Sequence, residues 1–148
     1  MPCIPQSRTL FVTIVKLIYS KVMRTLRALF IINAIIFGAS GLVAIILPGK
    51  VLMLYGVETG AAISLMAQYA GLGSMAIALF TWISKDIKDP IKLKGTVTAL
   101  AIINLIGTVI SILGVISGLM TIGWPVVVMY ALFSLAYAYF LFNLRYQK

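Results

Sequence analysis

The stretch GTVTALAIINLIGTVISILGVISGLMTIGWPVVVMYALFSLAYAYFLFNL occupies residues 95–144, 50 residues without a charged side chain. A helix needs about 20 apolar residues to cross the ~30 Å hydrocarbon layer of a membrane. This run is therefore too long for one span and suits two with a turn between them. The turn falls within residues 118–125, where Gly123, Trp124 and Pro125 end one helix and open the next, proline being tolerated in a first helical turn.

Working outward, the uncharged gap between Arg27 and Lys50 holds 22 residues and that between Glu58 and Lys85 holds 26, one span each. The expectation is an all-α integral membrane four-helix bundle with spans over about residues 28–47, 61–83, 96–119 and 125–143. A transmembrane barrel would need alternating segments of about ten residues, which this sequence lacks. The composition agrees: 62% hydrophobic and 10% charged residues, with a mean hydropathy of +1.12, exclude a water-soluble body.

Charge sets the direction. Arg8, Lys16, Lys21, Arg24 and Arg27 precede the first span, Lys85, Lys88, Lys92 and Lys94 separate the second and third, and Arg145 and Lys148 follow the fourth. Eleven basic residues thus share one face and only Lys50 takes the other, which places both termini in the cytoplasm of a multi-pass cell-membrane protein. The net charge of +9 is accounted for by topology, not by a nucleic-acid partner. Trp82, Trp124, Tyr137, Tyr139 and Tyr146 fall near span ends, where amphipathic rings anchor at headgroup depth.

Residues 1–27 form a separate basic segment. Phe11, Ile14, Val15, Ile18, Val22 and Leu26 recur at three- and four-residue steps opposite Thr13, Lys16, Ser20, Arg24 and Arg27, the pattern of an interfacial amphipathic helix held by anionic lipids. The apolar run before Lys16 is short and no small-residue cleavage site follows it, so a cleaved signal peptide is the weaker reading. Residues 28–148 make up the bundle. After the first span, Pro48 and Gly49 break the helix, yet Val51, Leu52, Met53, Leu54 and Tyr55 follow. These residues either lie on the bilayer surface, fold back over the bundle, or dock a partner, with Leu52, Met53, Leu54 and Tyr55 as the docking candidates.

Small residues line each span at three- and four-residue steps: Ala34, Gly38, Gly41 and Ala44 in the first, and Ser64, Gln68, Gly71, Ser74 and Ala78 in the second. The third carries Asn104, Gly107, Ser111, Gly114 and Gly118. Such stripes let helix backbones approach closely, and Gly107, Ser111, Gly114 and Gly118 are the helix-packing candidates. Spans one and three also share Ile-Ile-Asn at residues 31–33 and 102–104, and at that offset of 71 Ile35, Ser40, Leu42 and Ile45 match Ile106, Ser111, Leu113 and Ile116. A duplication of two-helix units would produce this pattern, and so would chance in isoleucine-rich sequence.

Chemistry is scarce. With no histidine, one cysteine and three acids, the chain lacks the residues that hold haem, zinc or copper, and no cofactor is expected. Cys3 has no partner thiol for disulfide chemistry. Glu58, Asp86 and Asp89 lie outside the spans, so no intramembrane carboxylate is there for proton coupling, and Asp89 with Pro90 suggests a turn or a helix cap. No nucleophile with an adjacent base can be assembled, and no catalytic residue is assigned. The intramembrane polar set is Asn33, Gln68, Asn104, Thr108, Ser111, Tyr130 and Ser134. Asn33, Gln68 and Asn104 form the candidate polar cluster, because an amide is costly in lipid unless it is paired.

The layout of Pro48 closing the first span, Leu54, Tyr55 and Gly56 after it, Trp82 closing the second, Asp89 and Pro90 in the following loop and Trp124 opening the last resembles small four-helix membrane proteins related to the DoxX-like group. That resemblance covers about residues 28–143. It implies either an accessory component of a membrane oxidoreductase system or a protein with no assigned activity, and it brings no active-site residue. Two functions follow as expectations: a non-catalytic subunit that packs into a larger membrane complex, or a small channel, transporter or lipophilic-ligand binder using the three amides.

Overall fold

Five helices and no strand make up the described residues, 6–120 and 122–145 of the computed structural model: α1 (Gln6–Ile46), α2 (Pro48–Leu54), α3 (Ala61–Ser84), α4 (Pro90–Ile116) and α5 (Trp124–Arg145). Four stretches are long and apolar enough to cross a membrane: Ser20–Ile46, Ala61–Ser84, Pro90–Ile116 and Trp124–Asn143. Outward-facing Ile35, Met66, Leu79, Ile110 and Leu132 give the bundle an apolar exterior suited to lipid.

Helix α1 runs 41 residues, about 60 Å at 1.5 Å per residue, and continues without a break across residues 27 and 28. The basic segment is thus joined to the first span by helix and not by a turn. Cys3, Tyr146 and Lys148, and the side chains of Arg8, Phe11, Thr13, Ile14, Val15, Lys16, Ile18 and Arg145, lie outside the described residues, and with them most of the amphipathic pattern. Of the remainder, Leu26 is buried, Val22 and Met23 pack against the core, and Lys21, Arg24 and Arg27 are exposed.

Local chemistry sets the breaks. Leu47 interrupts the helix and Pro48 starts α2 in the first turn. α2 ends at Leu54, and the chain turns at Gly56, whose φ of 69° favours glycine, with Val57 N–H donating to Leu52 O (2.9 Å) and Gly56 N–H to Met53 O (3.0 Å). These two bonds form a Schellman cap, which satisfies carbonyls that the helix end would leave bare.

Helix α4 starts at Pro90, six residues before the boundary expected from the charge gap. Asp89 caps it, its Oδ1 accepting from Ile91 N–H (2.9 Å) and Lys92 N–H (3.4 Å). Lys92 and Lys94 in the first turns are exposed, so the cap and Pro90 start the helix without burying a charge. The helix ends at Ile116, before the turn in which Gly118 adopts a φ of 72°.

Backbones approach most closely in two pairs, α1 with α3 and α4 with α5. Between the pairs lies a cluster of large side chains, with Leu26, Phe30 and Phe37 from α1, Leu93, Val97 and Leu100 from α4, and Phe133, Tyr137 and Phe140 from α5. At one end of the bundle Arg27 pairs with Asp86 at 2.9 Å and Lys85 Nζ sits 3.2 Å over the Trp82 ring. The basic residues from Lys21 to Lys94, Lys50 apart, gather at this end by topology, and α2 closes the other.

Candidate functional site

The amides expected to cluster are distributed between two places. Asn33 and Asn104 are fully buried, while Gln68 is half-buried and donates from Nε2 to Ile45 O across the α1/α3 contact at 3.1 Å. Ile45 lies twelve residues beyond Asn33 on α1, about 18 Å along the helix axis. Gln68 therefore ties the far end of one helix pair and takes no part in a centre with the asparagines. Its role there is to satisfy its own amide on a neighbouring helix backbone.

Asn33 Nδ2 donates to Tyr137 Oη at 2.7 Å, joining α1 to α5. Asn104 Nδ2 donates to Leu100 O of its own helix at 2.8 Å, and the Asn104 backbone carbonyl in turn accepts from Thr108 Oγ1 at 2.8 Å. In both asparagines the side-chain oxygen, Oδ1, is buried without a hydrogen-bond partner. Leaving one such acceptor buried and unpaired costs about 1–3 kcal/mol. The remaining polar groups of the spans are largely bonded within their own helices: Ser40 to Phe37 O, Ser74 to Ala70 O and Thr81 to Ile77 O.

Tyr137, which its place near a span end marks as a headgroup anchor, is instead completely buried. It stacks on Phe133 at a ring-centroid distance of 6.4 Å and lies 6.0 Å from Phe30. The signal that identifies it is the run Tyr130, Phe133, Tyr137 and Phe140, whose three- and four-residue steps mark one inward helix face. Trp82, Trp124 and Tyr139 do point outward.

The packing candidates fall into three roles. Gly107 faces the Tyr130 ring so closely that a Cβ there would stand 2.6 Å from it, and Gly114 faces Met120. Ser111 is buried on the same face. Gly118 lies past the end of α4 in open space, and its glycine serves the turn's positive φ, not helix packing. The stripes of α1 and α3 meet one another: a Cβ on Gly41 would stand 2.7 Å from Gly71 O, and one on Gly71 would stand 2.8 Å from Gly41 O.

Of the docking candidates, Leu52 is turned inward and buried, Tyr55 is half-buried, and Met53 and Leu54 are exposed at 71% and 62%. Among the described residues no group of three or more histidine, cysteine or acidic side chains comes together.

Comparison with family models, with curated proteins and with solved structures gave no match to this chain.

Proposed function

We propose that this protein is a non-catalytic membrane subunit that packs into and stabilises a larger membrane protein complex, with both termini in the cytoplasm. The observation that carries this reading is the Gln68 bond to Ile45 O. A glutamine committed to holding two helices together supports an architectural role over a polar path, and the serine and threonine bonds to their own helices point the same way. The resemblance to DoxX-like proteins agrees with an accessory role.

In this reading Met53 and Leu54, exposed on the same short helix as Lys50 and opposite the basic end, are where a partner subunit touches. The basic end, with Lys21, Arg24, Lys88, Lys92 and Lys94 exposed, faces the anionic lipids of the cytoplasmic leaflet, where helix α1 leaves the bilayer.

Extraction from native membranes in mild detergent followed by intact-complex mass measurement tests the proposal. A defined larger assembly is expected, and it should be lost on Met53→Lys with Leu54→Lys. A chain that always migrates alone contradicts it. The alternative, a small channel, transporter or lipophilic-ligand binder, retains one specific observation, the two unpaired asparagine oxygens.

A further inference from the structure

The two ends of the bundle differ in charge. At the α2 end Lys50 is balanced by one acid, Glu58. The end where α1 meets the loop between α3 and α4 holds the seven bases from Lys21 to Lys94, Lys50 apart, against two acids, Asp86 and Asp89. Both acids are already engaged. Asp86 pairs with Arg27 at 2.9 Å, and Asp89 Oδ1 accepts from the N–H groups of Ile91 and Lys92 at the start of α4. Among the described residues Lys21, Arg24, Lys88, Lys92 and Lys94 have no ion-pair partner, and all five are exposed. Unpaired like charges repel one another, so this end calls for an anion.

The Arg27–Asp86 pair ties α1 to the loop and so fixes where those charges stand. Arg24 lies three residues from Arg27, about 4.5 Å along α1, and Lys88 lies two residues from Asp86, at most about 7 Å along the chain. Each is within a Debye length, about 8 Å, of a pair that is neutral in itself. Two separate elements, α1 and the loop with the first turns of α4, therefore present positive charge at one junction.

Apolar neighbours decide what kind of anion fits. Ile83 and Ile91, exposed at 73% and 83%, bracket the loop, and outward-facing Trp82 carries Lys85 over its ring. An acidic protein or a nucleic acid would cover the bases and leave these apolar side chains in water. A phospholipid covers both, with phosphate on the cations and acyl chains on Ile83 and Ile91. A single phosphate satisfies one element. Two phosphates in one headgroup reach both, and joining two contacts in one molecule makes the second intramolecular.

We infer that the junction of α1 with the α3–α4 loop binds a phospholipid whose headgroup carries two phosphates, one held by Lys21 and Arg24 and the other by Lys88 and Lys92. This rests on the reading that the basic end faces the anionic leaflet, and it adds which lipid is retained there.

Native mass spectrometry of the detergent-purified chain, titrated with cardiolipin (two phosphates), phosphatidylglycerol (one) and phosphatidylcholine (zwitterionic), tests this. Cardiolipin should bind at least about tenfold more tightly than phosphatidylglycerol, and phosphatidylcholine should not bind. Arg24→Gln with Lys88→Gln should weaken cardiolipin at least about tenfold, while Lys50→Gln at the other end should leave it unchanged. Equal binding of cardiolipin and phosphatidylglycerol, an unaffected double variant, or an equal loss in Lys50→Gln would overturn the proposal. So would displacement of the lipid by equimolar inorganic pyrophosphate, which would make this a site for free phosphates. Should the variants not fold, the choice between the two anionic lipids by the unaltered chain decides alone. Micelles have no sides, so binding is read apart from orientation. Labelling of Glu58→Cys by an impermeant thiol reagent outside intact cells, in a Cys3→Ser chain, tests the orientation by itself; its failure would overturn the cytoplasmic reading and leave the lipid site standing.

Discussion

The α1/α3 and α4/α5 pairs are both closed by glycine, but the glycines meet different things. In the first, Gly41 and Gly71 bring each other's carbonyl oxygen within 2.8 Å of where a side chain would begin. In the second, Gly107 makes room for the Tyr130 ring, itself edge-on to Phe37 at 5.5 Å. One contact is backbone on backbone, which no rotamer can relieve, and the other is a glycine hollow filled by a movable side chain. Membrane helices associate by packing because lipid supplies no hydrophobic force between them. The first pair is therefore the rigid half of the molecule and the second is the adaptable half.

Breaking the rigid pair should have the largest effect. Gly41→Ala places a methyl group against Gly71 O and Met75 N, so the helices must separate, and unfolding in detergent should show a loss of about 3 kcal/mol. Gly71→Ala should act alike, and the double variant should lose less than the sum, because one separation relieves both clashes.

Gly107→Ala should cost about 1–2 kcal/mol, since the obstacle is a ring that can shift. Tyr130→Leu added to it should restore most of that loss. No side-chain truncation should rescue Gly41→Ala, and a rescue there would erase the distinction between the pairs.

The seam between them gives a third, smaller effect. Tyr137→Phe removes the one bond made by the Asn33 amide and should cost about 1 kcal/mol. Asn33→Leu together with Tyr137→Phe should be more stable than Tyr137→Phe alone, because the stranded amide is then gone. Asn104→Leu should be close to neutral, as its amide bonds only its own helix.

Smallest is the tie at the basic end. Arg27→Gln breaks an exposed ion pair and should cost below about 1 kcal/mol, with the difference from the unaltered chain fading as salt is raised.

Much of this architecture is legible in the residues alone. Uncharged gaps mark the four spans because a charge in hydrocarbon is too costly to scatter. Helix α4 begins ahead of the uncharged gap because the Asp89 cap and Pro90 start it there, with Lys92 and Lys94 in its first turns. Which helix pairs with which could not be deduced: a stripe of small residues says that a backbone comes close, not whose. Gln68 shares the chemistry of Asn33 and Asn104, but amide type carries no depth, and its partner is Ile45 O. Tyr137 departs from its expected place for a related reason. Near a span end a tyrosine fits an anchor by composition, and only the spacing Tyr130, Phe133, Tyr137, Phe140 shows that it faces inward.

The division into two close pairs is open to direct test in the membrane. A Cβ on Gly38 would lie 3.5 Å from the Ala78 Cβ, within the range that a disulfide spans. With Cys3→Ser in the background, the chain carrying Gly38→Cys and Ala78→Cys should cross-link internally under mild oxidation in native membranes, giving a faster-migrating band that reductant reverses. Failure to cross-link, in a chain that inserts and accumulates normally, would contradict the pairing of α1 with α3 on which the rest depends.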